Sequence, residues 1–214
     1  MIPDDKVLKG KVAVVTGAGR GIGKAIAIAY AKAGANTVCA ARTAAEIRET
    51  VTEISKMDGR ALALETDVTC IESVNNMFAR AVEHFGGIDI LVINAGANYD
   101  RETVENSNPD NWKRTLDVNL FGAYYCAHSA IPFLKQRGAG KIITIGSGLG
   151  HRGYAGGSAY SCSKAGLWML TRILAQELME YKISVNELIP GPVQTSIDDN
   201  AKTGISKGNV SYFV

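Results

Sequence analysis

Residues 11–24 read Lys-Val-Ala-Val-Val-Thr-Gly-Ala-Gly-Arg-Gly-Ile-Gly-Lys, and this stretch decides the fold. Its first half is an apolar run rich in valine, which favours a short buried strand. Four glycines follow at alternate positions, and a helical pattern begins at Lys24. Glycines let the backbone approach a phosphate, and a helix N-terminus offers free N–H groups to an anion. The stretch therefore predicts a strand, a phosphate-binding loop and a helix in succession.

The spacing of these glycines departs from the Gly-x-Gly-x-x-Gly pattern of many dinucleotide-binding loops. Counted from Gly17 that pattern would end on Ile22, and counted from Gly19 it would end on Lys24. The pattern that fits residues 16–23 is Thr-Gly-x-x-x-Gly-x-Gly. We predict that the loop binds a cofactor through Gly17, Gly19, Arg20, Gly21, Ile22 and Gly23.

Apolar runs alternate with helical patterns along the whole chain, which predicts a parallel sheet with helices on both faces. The predicted strands are Val12–Thr16, Thr37–Ala41, Ala61–Glu65, Ile88–Ile93, Lys141–Ile145 and Ile183–Ile189. We expect a doubly wound, Rossmann-like α/β fold made of a single domain, residues 1–214. Asn108 and Pro109 are typical of a helix start, with the asparagine as cap and proline in the first turn. Ligands bind such sheets at the carboxyl ends of the strands, where the strand order reverses.

Tyr160 and Lys164 form a Tyr-x-x-x-Lys motif, and Ser147 lies thirteen residues upstream of the tyrosine. Positions i and i+4 share one face of a helix, so an ammonium group can lie beside a phenol and favour its ionised form. The phenol then becomes a usable proton donor or acceptor near neutral pH. A single Tyr-x-x-x-Lys pair is weak evidence, because most such pairs lie on solvated helix faces.

Taken in order, the glycine loop, Asn94-Ala95-Gly96, Asn119, Ser147 and the Tyr160/Lys164 pair resemble the short-chain dehydrogenase/reductase family. The resemblance runs from about Leu8 to Thr195. One departure is Ile93, where the family usually has a further asparagine before Asn94.

The resemblance implies a role for each of four catalytic residues. Tyr160 would exchange a proton with the carbonyl oxygen while hydride moves to or from the nicotinamide, and Ser147 would hydrogen-bond that oxygen. Lys164 would bind the nicotinamide ribose and lower the phenol pKa, and Asn119 would hold a water that links Lys164 to solvent. The resemblance also implies cofactor contacts from Asn94, Ala95, Gly96, Tyr160, Lys164, Pro190, Gly191, Val193 and Thr195.

The second predicted strand ends at Ala41 and is followed by Arg42, where an NAD-binding domain usually has a carboxylate on the adenosine ribose. Arginine would instead bind the 2′-phosphate of NADP(H), and Arg20 adds a second positive charge. We therefore predict NADP(H), although both arginines would also fit an ordinary surface. Asp67 and Val68 match the family's adenine contacts, and the alternative for Asp67 is a helix cap near Thr69.

The 214 residues, 46% of them hydrophobic, are enough for one good core. A net charge of +2 with dispersed Lys and Arg argues against nucleic-acid binding. The four cysteines form no Cys-x-x-Cys pair, so we expect no metal site and reduced thiols. The first ten residues contain Asp4 and Asp5 and no apolar signal core, which favours a cytoplasmic protein.

Two predicted helices are apolar on most faces. Residues 118–134 contain no Asp, Glu, Lys or Arg, but Asn119, His128 and Pro132 argue against a membrane span. The helix after Tyr160 carries a similar apolar surface. The family pairs these two helices between subunits, so a homotetramer or homodimer is implied.

The family normally continues with a lid, a helix and a final edge strand beyond the point where this sequence stops, so we expect the sheet to lack its last edge strand. The segment 141–147 resembles 3-oxoacyl thioester reductases, and the expected substrate is a small-molecule carbonyl or secondary alcohol of that kind. Another small alcohol, sugar or steroid-like substrate is the alternative. An epimerase or dehydratase is disfavoured by the glycine spacing, and a non-catalytic cofactor-binding protein by the retention of all four catalytic residues.

Overall fold

The computed structural model describes residues 6–191 and Ile197. Within them, six parallel strands form one sheet in the order β3-β2-β1-β4-β5-β6. The strands are β1 Val12–Thr16, β2 Asn36–Ala41, β3 Arg60–Glu65, β4 Ile90–Ile93, β5 Gly140–Ile145 and β6 Ile183–Leu188. The order reverses between β1 and β4, so the connections that follow these two strands lead to opposite sides of the sheet. The predicted six-stranded Rossmann-like sheet is confirmed.

Helices cover both faces of the sheet. They are α1 Gly21–Lys32, α2 Ala44–Ser55, α3 Ile71–Phe85, α4 Pro109–Leu116, α5 Gly122–Gln136 and α6 Ser158–Glu177. A π-helical turn, Asp117–Phe121, joins α4 to α5, and short 3₁₀ turns cover Val104–Asn106, Gly148–Gly150 and Met179–Tyr181. None of the helices in the described residues combines the length and apolar character that crossing a bilayer requires.

Side chains of the central strand β1 alternate between two cores. Val12 and Val14 pack with residues of α3, α5 and α6, whereas Ala13 and Val15 pack with residues of α1 and α2. All five residues of β1 are buried. A strand covered on both faces has apolar residues in succession rather than at alternate positions. Residues 12–15 of β1 have this pattern.

The α4 helix begins as the sequence predicts. Asn108 is its N-cap, and its side-chain oxygen accepts hydrogen bonds from the backbone N–H groups of Asp110 at 2.9 Å and Asn111 at 3.0 Å. Pro109 occupies the first turn, where its missing N–H costs nothing.

The fourth strand begins at Ile90, two residues later than predicted. Asp89 precedes it, with its backbone N–H bonded to the Val12 carbonyl and its carbonyl accepting from the Lys141 N–H. Its carboxylate accepts a hydrogen bond from the Val12 N–H at 2.9 Å and pairs with Arg137 at 3.0 Å and Lys11 at 3.3 Å. Asp89 therefore ties β1 and β4 to the end of α5 at the amino edge of the sheet.

We expect Asp89→Asn to lower the free energy of unfolding at pH 7 by about 1–3 kcal/mol, because it weakens hydrogen bonds to a buried group. Burial raises the pKa of Asp89, but the hydrogen bonds from Arg137 and Val12 outweigh it and hold the pKa below the usual 3.8. The ionised carboxylate thus stabilises the fold above pH 3.8, and this contribution is lost as pH falls through the folded pKa.

Urea unfolding of wild type and Asp89→Asn at pH 7 and pH 3 would measure both effects, with exposed Glu83→Gln as the charge-matched control. A stability difference that does not shrink at pH 3 would contradict the electrostatic account.

Candidate active site

The glycine loop is held against the end of β4 by Thr16 and Asn94. The Thr16 hydroxyl accepts hydrogen bonds from the N–H groups of Asn94 at 3.0 Å and Ala95 at 3.1 Å. The Asn94 amide donates to the carbonyl oxygens of Thr16 at 2.8 Å and Gly17 at 3.3 Å. The side chain of Asn94 therefore fixes the shape of the loop.

Two glycines of the loop have no room for a side chain. Gly17 has φ of +65°, and a Cβ there would lie 2.7 Å from the Asn94 Nδ2 atom. A Cβ on Gly23 would overlap the Gly17 carbonyl oxygen and the same amide nitrogen. The first turn of α1 therefore lies directly against the loop.

The N-terminus of α1 is suited to an anion. Arg20 occupies the N-cap position with an extended backbone, no capping hydrogen bond from its side chain is present, and the first turn contains no acidic residue. The N–H groups at the start of a helix then keep their hydrogen-bonding capacity and the positive end of the helix dipole. These features fit the pyrophosphate of a dinucleotide.

A cavity of about 220 Å³ lies over this loop. Its lining includes these predicted cofactor residues: Gly17, Gly19, Arg20, Gly21, Ile22, Arg42, Asp67, Val68, Asn94, Ala95 and Gly96. Gly23 packs beneath the loop, and Tyr160, Lys164, Pro190 and Gly191 are not part of the lining. Pro190 and Gly191 directly follow β6. Val193 and Thr195 lie outside the described residues.

The corner of the cavity near the end of β2 contains opposite charges. Arg42 lines it and donates a hydrogen bond from Nη2 to the Tyr99 hydroxyl at 3.3 Å. Glu46, in the first turn of α2, also lines the cavity, and its Oε2 atom lies 2.8 Å from the position that a Cβ would take on Gly19. Sequence reasoning missed Glu46. The available signal was an acidic residue four residues after the arginine.

Asp67 is already engaged in local hydrogen bonds. Its Oδ1 atom accepts from the Thr69 N–H at 2.9 Å and from the Thr69 hydroxyl at 2.8 Å. It also lines the cavity. These bonds lie in the turn before α3, whose N-cap is Cys70 with no side-chain capping bond, so the helix-cap alternative for Asp67 is wrong.

Ser147 follows β5 and starts the 3₁₀ turn Gly148–Gly150. Its hydroxyl accepts a hydrogen bond from the Leu149 N–H at 3.2 Å. A Cβ on Gly150 would lie 2.8 Å from the Lys164 carbonyl carbon, so the turn packs tightly on the backbone of α6. This contact places the Ser147 turn beside the helix that carries Tyr160.

Lys164 is almost completely buried, with 3% of the residue exposed. Its Nζ atom donates to the Ile145 carbonyl at 2.7 Å and lies 5.7 Å from the centre of the Tyr160 ring. Burial lowers the pKa of Lys164 to about 8, while the charge of Glu187 acts in the opposite direction. A lysine in this state titrates near neutral pH, beside a phenol.

Asn119 lies in the π-helical turn, 1% exposed, and joins two parts of the site. Its amide oxygen accepts from the Ala97 N–H at 2.8 Å, and its nitrogen donates to the Ala97 carbonyl and the Ser163 hydroxyl, both at 2.9 Å. Asn119 Oδ1 and Lys164 Nζ both lie within 4 Å of the position of a Cβ on Gly96.

The sequence did not reveal this π turn. The sequence around Asn119 fits a continuous helix, because residues 118–134 contain no charged residue whose position would reveal a one-residue shift of the helix faces. Such turns are frequent at functional sites.

The strand order and the glycine loop define a dinucleotide-binding α/β protein. A family model described as short chain dehydrogenase matches residues 11–205. The chain belongs to the short-chain dehydrogenase/reductase family, whose members are oxidoreductases acting on CH–OH and C=O groups with a nicotinamide cofactor.

Three similar proteins illustrate the range of the family. The chain is 38% identical over 208 residues to D-beta-hydroxybutyrate dehydrogenase of Rhizobium meliloti, covering 94% of this chain and 80% of that protein. The structure of a 3-ketoacyl-ACP reductase from Sinorhizobium meliloti 1021 has a TM-score of 0.86 at 37% identity, over 89% of this chain and 76% of the other. The structure of carveol dehydrogenase from Mycobacterium avium, in complex with NAD, has a TM-score of 0.87 at 28% identity, over 90% of this chain and 74% of the other.

We expect Lys164→Met to be more stable than wild type at pH 7 by about 1–3 kcal/mol, because it removes a buried charge and keeps an unbranched side chain that is only one atom shorter. Loss of the bond to the Ile145 carbonyl offsets part of the gain. The folded pKa of Lys164 is below the unfolded value of 10.5. The cost of burying the charge is therefore complete below about pH 8 and disappears as pH rises toward 10.5.

Urea unfolding at pH 7 and pH 10 would check this, with exposed Lys32→Met as the control. If Lys164→Met were the less stable protein at pH 7, burial of the ammonium group would not be a net cost to the fold.

Proposed function

We propose that the protein is an NADP(H)-dependent carbonyl reductase, reversible as a secondary alcohol dehydrogenase, with residues 1–214 as one catalytic domain. The observation that carries the proposal is the buried Lys164 ammonium one helical turn after Tyr160, next to the cavity formed by the glycine loop. Burying a lysine costs free energy, so its presence in the interior suggests a function. Perturbed pKa values also cluster at active sites.

Tyr160 is the proposed proton donor to the carbonyl oxygen during reduction, and the acceptor of the same proton during oxidation. The nicotinamide, when bound, supplies or accepts the hydride at the carbon atom. The positive charge of Lys164 favours the phenolate that remains after proton transfer. Reprotonation of Tyr160 from the lysine and solvent then completes the cycle.

Ser147 and Asn119 are proposed to support this transfer. The Ser147 hydroxyl, at the start of its turn, would donate to the carbonyl oxygen and stabilise the developing negative charge. Asn119 ties Ala97 to Ser163, which keeps the loop after β4 in place against α6. Asn119 is also proposed to hold a water that links Lys164 to solvent.

The cofactor would lie along the carboxyl ends of the strands. The N-terminus of α1 and the glycine loop would bind the pyrophosphate, and Asn94–Gly96 would contact the ribose and nicotinamide half. Asp67 and Val68 would contact the adenine, and Pro190, Gly191, Val193 and Thr195 the nicotinamide end. Arg42 and Arg20 would bind the 2′-phosphate, because Ala41 provides no carboxylate for the ribose at the end of β2.

A short 3-oxoacyl thioester is the proposed substrate. Two of the similar proteins are, by name, a D-beta-hydroxybutyrate dehydrogenase and a 3-ketoacyl-ACP reductase. Both names describe oxygen chemistry at the third carbon of an acyl chain. This favours the 3-oxoacyl class over a sugar or steroid-like alcohol.

A homotetramer or homodimer is proposed from the surfaces of α5 and α6. Phe121 and Tyr124 at the start of α5 are each 48% exposed, and Met169 and Ile173 on α6 are 47% and 44% exposed. The opposite sides of both helices are buried against the sheet. A second subunit would remove these large apolar side chains from water.

With a short 3-oxoacyl thioester and NADPH, we expect Tyr160→Phe to lower the initial rate by about 10²–10⁴-fold, the usual contribution of a general acid. NADPH oxidation followed by absorbance would measure the rate. Tyr181→Phe, which removes a hydroxyl far from the cavity, is the matched control. Full activity of Tyr160→Phe would overturn the proton-donor assignment, and an inactive wild type would overturn the substrate assignment.

The charges near the end of β2 should set the choice of cofactor. Arg42→Leu should lower the ratio of kcat/KM for NADPH to that for NADH by at least about tenfold, since it removes a charge-assisted bond to the 2′-phosphate. Glu46→Gln should raise the same ratio several-fold, because a carboxylate repels that phosphate.

Exposed Arg48→Leu, on the same helix as Glu46, controls for loss of charge. If neither Arg42→Leu nor Glu46→Gln changed the ratio, this corner would not distinguish NADP(H) from NAD(H). A wild-type preference for NADH would reject the NADP(H) assignment itself.

A further inference from the structure

A carboxylate is buried behind the proposed catalytic group. Glu187 lies near the end of β6, opposite Thr144 of β5, on the strand face that also carries the buried Ile183 and Val185. Only 9% of its side chain is exposed. A Cβ on Gly146 would lie 2.7 Å from Glu187 Cγ and still closer to the carboxyl group, so the absence of a side chain at Gly146 makes room for the acid.

The hydrogen bonds of Glu187 are incomplete within the described part of the chain. One carboxyl oxygen, Oε2, lies 3.2 Å from the His151 Nε2 atom. The other, Oε1, is buried and has no hydrogen-bond partner among the described residues. A buried carboxylate oxygen without a donor is costly, and its presence needs a physical explanation.

The charge of Lys164 offsets part of this cost. Its ammonium group donates to the carbonyl of Ile145, the residue directly before the glycine that Glu187 covers. The two opposite charges therefore approach the same end of β5, one from α6 and one from β6. Burial lowers the pKa of Lys164, and the Glu187 charge opposes this effect. Each charge thus reduces the cost of burying the other.

Given the carbonyl reductase proposed above, on which this inference depends, we propose that Glu187 is a positioning residue that keeps Lys164 charged during the reaction. It touches neither substrate nor cofactor in this role. Its effect passes through the lysine to the phenol of Tyr160. The assignment also explains why an acidic residue occupies an inward-facing position of a strand whose neighbouring inward residues are apolar.

Other titratable groups surround this pair in the described residues. Tyr160 faces Lys164 from the same helix. His151 faces Glu187 from the loop after β5, with a third of its side chain exposed, and its ring packs edge-on against Trp168 at 5.1 Å. The guanidinium carbon of Arg172 lies 5.4 Å from the centre of the same tryptophan ring. The negative charge that acts on Lys164 is that of Glu187.

The test is the pH dependence of kcat/KM for reduction. Activity requires the proton of Tyr160 and the charge of Lys164, so the alkaline limb of the profile reports the first proton lost by this coupled pair. Removing a nearby negative charge makes that loss easier for either group. We expect Glu187→Gln to move the alkaline limb to lower pH by about one unit. Glu187→Asp, which keeps the charge, should restore the limb toward wild type.

Exposed Glu177→Gln, at the end of α6, is the charge-matched control and should leave the limb in place. A Glu187→Gln protein that loses activity equally at all pH values, with the limb unmoved, would overturn the inference. That result would mean that Glu187 matters for packing alone.

A second measurement does not depend on turnover. NMR of the full-length protein with ¹⁵N-labelled lysine, assigned with Lys164→Met, would follow the Lys164 titration directly. We expect it at lower pH in Glu187→Gln than in wild type, and equal titrations would overturn the inference. Absence of turnover in wild type would count against the proposed function, whereas equal titrations would count against the role of Glu187 alone.

Discussion

The ends of β1 and β4 are joined by hydrogen bonds between Thr16 and Asn94, and the rest of the site depends on this junction. It lies where the strand order reverses, so the chain segments that follow β1 and β4 lead to opposite sides of the sheet there. The same bonds shape the glycine loop, which in turn receives the first turn of α1. One threonine hydroxyl and one amide thus hold in place the loop and the helix N-terminus that are suited to an anion.

The second half of the site is organised around a buried charge. An ammonium group inside a protein is tolerated only if hydrogen bonds and an opposite charge compensate for lost hydration. Lys164 donates a hydrogen bond to the Ile145 carbonyl at the end of β5, and the opposite charge is that of Glu187 on β6. The strand ends therefore position the proposed catalytic residues and also provide the electrostatic conditions under which a lysine can titrate near neutral pH.

Local patterns in the sequence predicted the elements whose signals are local. The valine-rich run of β1, the glycines at 17–23 and the Asn108-Pro109 helix start each have a physical cause within a few residues. The π turn at Asn119 and the carboxylates of Glu46 and Glu187 were missed for the opposite reason. Glu46 matters because α2 packs against Gly19, and Glu187 because Gly146 is beside it across the sheet. Such contacts join residues far apart in sequence, and a single sequence does not reveal them.

The segment from Asn94 to Asp100 contacts several parts of the site in turn. Asn94 donates to the glycine loop, and the Ala97 N–H donates to Asn119. The Tyr99 hydroxyl accepts from Arg42, and the Tyr99 N–H donates to Thr115. Asp100 then accepts from the N–H of Asn108 at the start of α4. These anchors are one to three residues apart, so the short segments between them have little freedom to change length. The number of residues between them is therefore fixed, and an insertion here would separate the adenosine corner from the catalytic group, whereas a surface loop elsewhere could absorb it.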